Sequence, residues 1–230
     1  MKKVICITDS VAMPRPGLSY EETWIGRMVK HYSEYHFIHS SRRASSTARI
    51  AKFDYSGYDD PLDTLEHYEP EIAILQIGSA DSAPRLIKRK SLFSFILSTL
   101  NHNIRWKIIV AYSKFFGRSI RKADLPMSHI RNNFKNYFKR ANELDVKLIV
   151  VLCGKLPSWT QKKSPELKKY WGICNEIIMQ EADVYDNIIT MHPFSDDVDV
   201  DKLIPDDFHP MSEGQEIIFN NIKIQFDKWS

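Results

Sequence analysis

Val4-Ile5-Cys6-Ile7-Thr8-Asp9-Ser10 decides how the chain is read. Four apolar residues in an unbroken run, closed by three small polar ones, suit a central strand of a parallel sheet covered by helices on both faces. Four further runs repeat the signal: Phe37 to His39, Ile72 to Ile77, Lys147 to Leu152 and Ile188 to Met191. Between them lie segments of helical period. Tyr20 to His31 has Glu21 and Glu22 in its first turn, where acids oppose the helix dipole favourably. In Ile130 to Leu144, the residues Ile130, Phe134, Tyr137, Phe138 and Ala141 share one face. Pro165 to Ala182 and Ser212 to Trp229 complete the set, the last opening with Ser212-Glu213-Gly214-Gln215 as a capping box. Strands alternating with helices predict an α/β chain: a three-layer α/β/α sandwich around a mostly parallel sheet of about five strands.

Length and composition agree with that reading. The 230 residues are 43% hydrophobic and 27% charged, the balance of a globular protein. A chain of this length buries roughly 70 to 75% of its unfolded surface and needs no metal or disulfide to hold a core. No repeat or linker divides it, so one domain over 1–230 is expected. Cys6, Cys153 and Cys174 cannot all pair and show no CxxC or Cys/His spacing, which points to a reducing compartment. The polar residues Thr8-Asp9-Ser10 cut the first apolar run short of a signal peptide, and no stretch of 18 apolar residues occurs. The expected location is the cytoplasm.

The net charge of +3 hides an asymmetry. From Ser82 to Ala123 there are ten basic residues and no acidic one, leaving 22 basic against 29 acidic residues elsewhere. This segment also contains Leu92 to Leu97 and Trp106 to Val110, so it is apolar as well as basic. A connection of that length in a compact domain calls for its own structure, and a helical insertion or lid at about 85–125 is expected. Basic and apolar side chains together suit peripheral contact with an anionic membrane, here the inner membrane. An amphipathic lid with its charges in solvent is the alternative. Phe115 and Phe116 among cations could stack bases, yet no nucleic-acid module surrounds them and no nucleic-acid partner is expected.

Two short blocks carry candidate chemistry. A serine directly after a strand can present its hydroxyl at the carboxyl edge of the sheet, with its own N–H ready to stabilise an oxyanion. Ser10 is so placed, although Asp9-Ser10 also reads as a simple turn or cap. In Asp206-Asp207-Phe208-His209 a carboxylate three residues before a histidine can curl back to orient the imidazole, which can then take a proton from a serine. A solvated acidic loop with a surface histidine is the other reading. The aspartates at 196, 197, 199 and 201 lack the glycine and closing glutamate of a calcium loop, and the histidines lack metal spacing, so no metal or cofactor is expected.

Taken together, Thr8-Asp9-Ser10 near the start and Asp206-x-x-His209 before the last helix resemble the SGNH (GDSL-type) hydrolase family. The resemblance spans the chain. It implies a flavodoxin-like fold with Ser10 as nucleophile, His209 as base and Asp206 as its partner, and it places Leu75 to Asp81 at the family's Gly-x-Asn-Asp block. Three departures stand out. Thr8 replaces the usual glycine, Ala80 occupies the place of the oxyanion asparagine, and Ala44-Ser45-Ser46-Thr47 holds no glycine where the family has its other donor. A backbone N–H of Ser45 or Ser46 could serve there. Ser79, Arg85, Asn103 and Asn132 are candidate substitutes for the asparagine.

A narrower likeness runs through Asp9-Ser10-x-Ala12-Met13-Pro14-Arg15 and Gly78-x-x-Asp81-x-Ala83-Pro84-Arg85. It is similar to an SGNH subgroup encoded with bacterial surface-polysaccharide biosynthesis genes, which implies that Asp81 and Arg85 belong to the site. Oxyanion or substrate-binding roles are thus expected of Ser10, Ser46, Gly78, Ser79, Asp81 and Arg85. The function implied is a serine-dependent esterase or acyltransferase, with O-acetyl as the expected acyl group, acting on a carbohydrate or surface-polysaccharide intermediate. Its partner is the acylated carbohydrate itself. The alternative is a catalytically weak protein of the same fold that binds or assembles glycans.

Overall fold

The computed structural model describes residues 2–51, 64–85, 95–97, 99–101, 104, 107–108, 111 and 122–229. Seven strands are present among them: β1 (Lys3–Thr8), β2 (His36–Ser41), β3 (Ile72–Gln76), β4 (Pro84–Arg85), β5 (Lys122–Ala123), β6 (Lys147–Val151) and β7 (Ile188–Met191). The helices are α1 (Trp24–His31), α2 (Thr64–Tyr68), α3 (Ser79–Ser82), α4 (Met127–Glu143), α5 (Ser158–Lys163), α6 (Pro165–Ala182), α7 (Val200–Leu203) and α8 (Ser212–Phe226).

Five strands form one sheet in the order β2-β1-β3-β6-β7, every pair parallel. Alternate residues of β1 enter two separate cores, as the pleat requires. Ile5 and Ile7 pack with Ala73, Leu75, Phe134 and Phe138 under α4 and α6. Val4 and Cys6 pack on the other face with Ile72, Ile74, Trp24, Ile218 and Phe226 under α1 and α8. The three-layer sandwich expected from the apolar runs is the one observed. The chain winds from β1 outward to β2, then crosses back over β1 to β3. That reversal opens a crevice between the carboxyl ends of β1 and β3, the place where sheets of this order bind ligands.

Two helix starts differ from expectation. Helix α1 begins at Trp24, because Thr23 adopts extended backbone and its Oγ1 accepts the Gly26 N–H at 3.1 Å. Glu22 therefore lies outside the helix, where its carboxylate accepts the Ser19 N–H. Helix α8 does begin at Ser212, but its cap is Met211 and no capping box forms. Gln215 is fully buried instead, and its amide serves the site described below.

Most of the basic insertion expected at 85–125 lies outside the described residues. Its two ends do not. Pro84 and Arg85 pair antiparallel with Ala123 and Lys122, so the segment leaves and re-enters the body through one small ribbon. Among the described residues no helix is long and apolar enough to cross a membrane.

Candidate active site

The turn after β1 is built around Asp9. Its buried carboxylate accepts the Val11 N–H at 2.9 Å and caps the 3₁₀ turn Ser10–Ala12, while its second oxygen accepts the Ser79 hydroxyl. The Asp9 N–H donates to the Gln76 carbonyl at 3.0 Å. The ends of β1 and β3 are thus tied across the crevice at two points, and Ser10 is presented at its mouth.

Ser10 meets His209 there. Oγ lies 3.0 Å from Nε2 of the imidazole, although 199 positions separate the two residues. On the far side of the ring, Nδ1 lies 2.7 Å from Oδ2 of Asp206. The other Asp206 oxygen accepts two main-chain N–H groups, from Phe208 at 2.9 Å and His209 at 2.7 Å. The carboxylate is thereby fixed before it touches the ring. With Asp206 ionised, Nδ1 carries the proton and Nε2 is left to accept the serine hydroxyl.

The electrostatics favour that arrangement. Partial burial works to raise the Asp206 carboxyl, but the N–H groups of His209 and Phe208 and the imidazole outweigh it, and its pKa lies below the ordinary carboxylate value. Burial lowers His209 below the usual histidine value; Asp206 opposes this shift and the Arg15 cation adds to it. The net shift favours the neutral imidazole, the form a general base requires. Asp9 moves upward through burial, against the pull of Ser79 and Val11.

Around Ser10 opens a cleft of about 260 Å³. Ala44, Ser79, Ala80, Ala83 and Pro84 line it together with Thr160, Lys163, Leu167, Trp171, Asp207 and Phe208. Trp171 donates Nε1–H to the Ser79 carbonyl at 3.2 Å and meets the Phe208 ring edge-on at 6.3 Å. Phe208 in turn packs against the His209 ring at 4.3 Å. Lys163 holds both oxygens of Asp207, at 3.0 and 2.8 Å.

The expected oxyanion residues divide. Gly78 sits at φ +110°, a conformation open to glycine, and a Cβ there would come within 3.1 Å of Cys174 Sγ. This sharp turn brings Ser79 and Ala80 to the cleft. The Ser79 hydroxyl is committed to Asp9, and Ala80 carries no donor in its side chain. Ser46 is fully buried and its hydroxyl accepts the Ala48 N–H at 3.2 Å, so it faces inward and caps a turn. The residue of that loop that reaches the cleft is Ala44, at φ +52°. Positive φ is the condition under which glycine is preferred, and Ala44 marks the position where a glycine was sought.

Asp81, expected at the site, is fully buried and accepts the Thr47 N–H. It braces the 45–47 loop from behind, with Asn133 holding the Thr47 hydroxyl at 3.0 Å. Arg85 follows the cleft-lining Pro84 in β4, but its side chain lies outside the described residues. Asn103 also lies outside them. Asn132 is exposed on α4 and does not line the cleft.

No family model matches the chain and no curated protein does. Solved structures do match. Esterase EstA from Pseudoalteromonas sp., inhibited by monoethylphosphonate, superposes with a TM-score of 0.60 at 14% identity over 100% of this chain and 98% of its own. A carbohydrate acetylesterase from Sinorhizobium meliloti gives 0.59 at 15% over the whole of both chains. A member of the lipolytic G-D-S-L family from Veillonella parvula gives 0.54 at 13%, over 99% of this chain and 100% of its own. The fold is the one these SGNH hydrolases share. The expected fold class stands on that finding together with the sheet order.

Two residues at the site went unread in the sequence. Gln215 donates its amide to the carbonyls of Val11 at 2.7 Å and Pro210 at 3.3 Å, and its Oε1 accepts the Trp24 N–H at 3.0 Å. It joins the serine turn to the histidine loop from beneath. Its disguise was the capping-box pattern. Arg15 donates to main-chain carbonyls of the serine turn; its signal was its place at the end of the Asp9 to Arg15 block.

Proposed function

We propose that the chain is a serine-dependent ester hydrolase or acyltransferase that acts on an O-acylated carbohydrate through an acyl-enzyme. The observation that carries this reading is the continuous relay from Ser10 through His209 to Asp206, at 3.0 and 2.7 Å. In the forward step Ser10 Oγ bonds to the ester carbonyl carbon while its proton passes to Nε2 of His209. The tetrahedral intermediate collapses, the bond to the sugar oxygen breaks, and His209 returns the proton to that leaving oxygen. Asp206 keeps the imidazole in register and stabilises its protonated form. Water as the second acceptor releases the acid; a sugar hydroxyl receives the acyl group instead. The small apolar wall formed by Ala80 and Ala83 suits an acetyl group, and the likeness in fold to a carbohydrate acetylesterase supports a sugar ester. The surface-polysaccharide setting rests on the block Gly78-x-x-Asp81-x-Ala83-Pro84-Arg85.

A fluorophosphonate probe tests the assignment. Wild-type protein takes the label and hydrolyses aryl acetates, and Ser10→Ala loses both. Labelling that persists in Ser10→Ala overturns the role of Ser10. The second reading, a glycan-binding protein of the same fold, is favoured by Ala80, whose side chain offers no oxyanion donor. It predicts glycan affinity in wild-type protein that neither labels nor turns over.

A further inference from the structure

A single nitrogen of Arg15 faces three carbonyls of the serine turn. Nη2 lies 2.6 Å from the Ser10 oxygen, 3.1 Å from that of Met13 and 3.2 Å from that of Val11. Two hydrogens serve three acceptors, so one bond is shared, and the negative ends of three peptide dipoles converge on one cation. The nearest of these carbonyls belongs to Ser10 itself, whose Oγ lies 3.0 Å from Nε2 of His209. Nε of Arg15 is buried and finds no hydrogen-bond partner among the described residues. An orphaned buried N–H costs stability, and a clamp needed only to shape a surface turn would not require a guanidinium that is half buried.

We propose that Arg15 is a positioning residue for the nucleophile, clamping the main chain that carries Ser10 and setting a fixed positive charge beside the His209 imidazole. The proposal rests on reading Ser10 and His209 as nucleophile and base. It has two separable parts. The clamp fixes where Oγ stands relative to Nε2, and displacement of a reacting group by about 1 Å can cost on the order of a hundredfold in rate. The charge adds to the effect of burial in favouring the neutral imidazole. The groups facing that ring are Asp206 from its own loop and Asp9 and Arg15 from the turn after β1; Arg43, from the loop after β2, acts on Arg15. Asp207 is paired with Lys163. Of these, only Arg15 opposes protonation of His209 by its charge. Removing it raises the imidazole pKa, so the acid limb of kcat/KM moves to higher pH.

Three variants separate clamp from charge. Arg15→Met loses both, and its kcat falls about a hundredfold while the acid limb shifts upward. Arg15→Lys keeps a cation on a different reach, so its rate falls while its limb stays near that of wild type. Arg15→Gln keeps an amide donor without charge and shifts its limb as Met does; it also replaces Arg15→Met if that protein does not fold. NMR titration of the His209 ring in wild type and Arg15→Gln reads the same upward shift without turnover, and it assigns the limb to His209 rather than to Asp9. A wild-type limb and a wild-type His209 titration in the uncharged variants overturn the proposal, as does full activity in Arg15→Met. Wild-type protein that neither labels with fluorophosphonate nor hydrolyses esters overturns the reading of Ser10 instead, while the titration still decides whether Arg15 favours the neutral imidazole.

Discussion

Two walls meet at Ser10 and are built from different materials: a relay wall of Ser10, His209 and Asp206, and a cleft wall that includes Ala44, Ser79 and Ala80. On the relay wall, side chains do the work, and each is held by at least two others: Asp206 by two N–H groups and the imidazole, Ser10 by His209 and the braced turn beneath it. On the cleft wall, Ala44, Ser79 and Ala80 offer no uncommitted side-chain donor, and the side chains of Asp81, Thr47 and Asn133 shape the loops without lining the cleft. Proton transfer needs a titratable side chain at a set distance. Oxyanion stabilisation asks only for N–H dipoles aimed at a point, which any residue but proline can supply. The first wall therefore constrains residue identity and the second constrains backbone shape.

The comparison can be pressed hardest at Asp206. Asp206→Asn keeps the size of the group and its contacts with the two N–H groups but reverses its demand on Nδ1, so the imidazole takes the wrong tautomer. A fall in kcat of roughly 10⁴ is expected at neutral pH, with little change in the unfolding midpoint. A loss of tenfold or less, measured by steady-state hydrolysis of an aryl acetate, would show that the relay wall does not govern the rate. A smaller effect is expected across the cleft. Ala80→Asn adds a side-chain donor to the wall that lacks one, and since removing such a donor elsewhere costs 10²- to 10³-fold, a gain of about tenfold in kcat is the expected outcome. An unchanged rate would mean that main-chain donors already complete this wall.

The same difference explains what could be read from the chain alone. Strands β1, β3 and β6 are covered on both faces, so their continuous apolar runs announced both the sheet and its layering. The contacts among Ser10, His209 and Asp206 were legible because a serine directly after a strand and a carboxylate three residues before a histidine are patterns tied to residue type. The inward turn of Ser46 was not legible. In a run of Ala44-Ser45-Ser46-Thr47, nothing local says which residue takes positive φ; that is set by Arg49 reaching Ser40 and Ser45 and by Asp81 holding Thr47 from another element. Gln215 escaped for a related reason. Its partners Val11 and Trp24 lie about 200 positions away, and the local pattern fitted a capping box that does not form, Met211 standing at the cap position without a side-chain bond.

Thr8 gives the finest test, because it lies on neither wall. It ends β1 with its side chain fully buried, and its hydroxyl donates to Ser41 Oγ at 2.7 Å, joining the last residues of β1 and β2. A glycine here would lose that bond and strand Ser41 beside a void, while gaining backbone freedom in the unfolded chain. A net hydrogen bond is worth about 1 kcal/mol, and glycine within a strand costs roughly 0.5 to 1 kcal/mol more. Thr8→Gly should therefore destabilise by about 2 kcal/mol, lowering the thermal midpoint by several degrees. The rate should stay within about twofold, because Asp9 is still tied to Gln76, Val11 and Ser79, and these contacts, not Thr8, fix the serine turn. Calorimetry and aryl acetate kinetics on the same preparation decide it. A fall in kcat larger than tenfold at full folding would place Thr8 in the positioning of Ser10 and move the boundary of the relay wall one residue back into the strand.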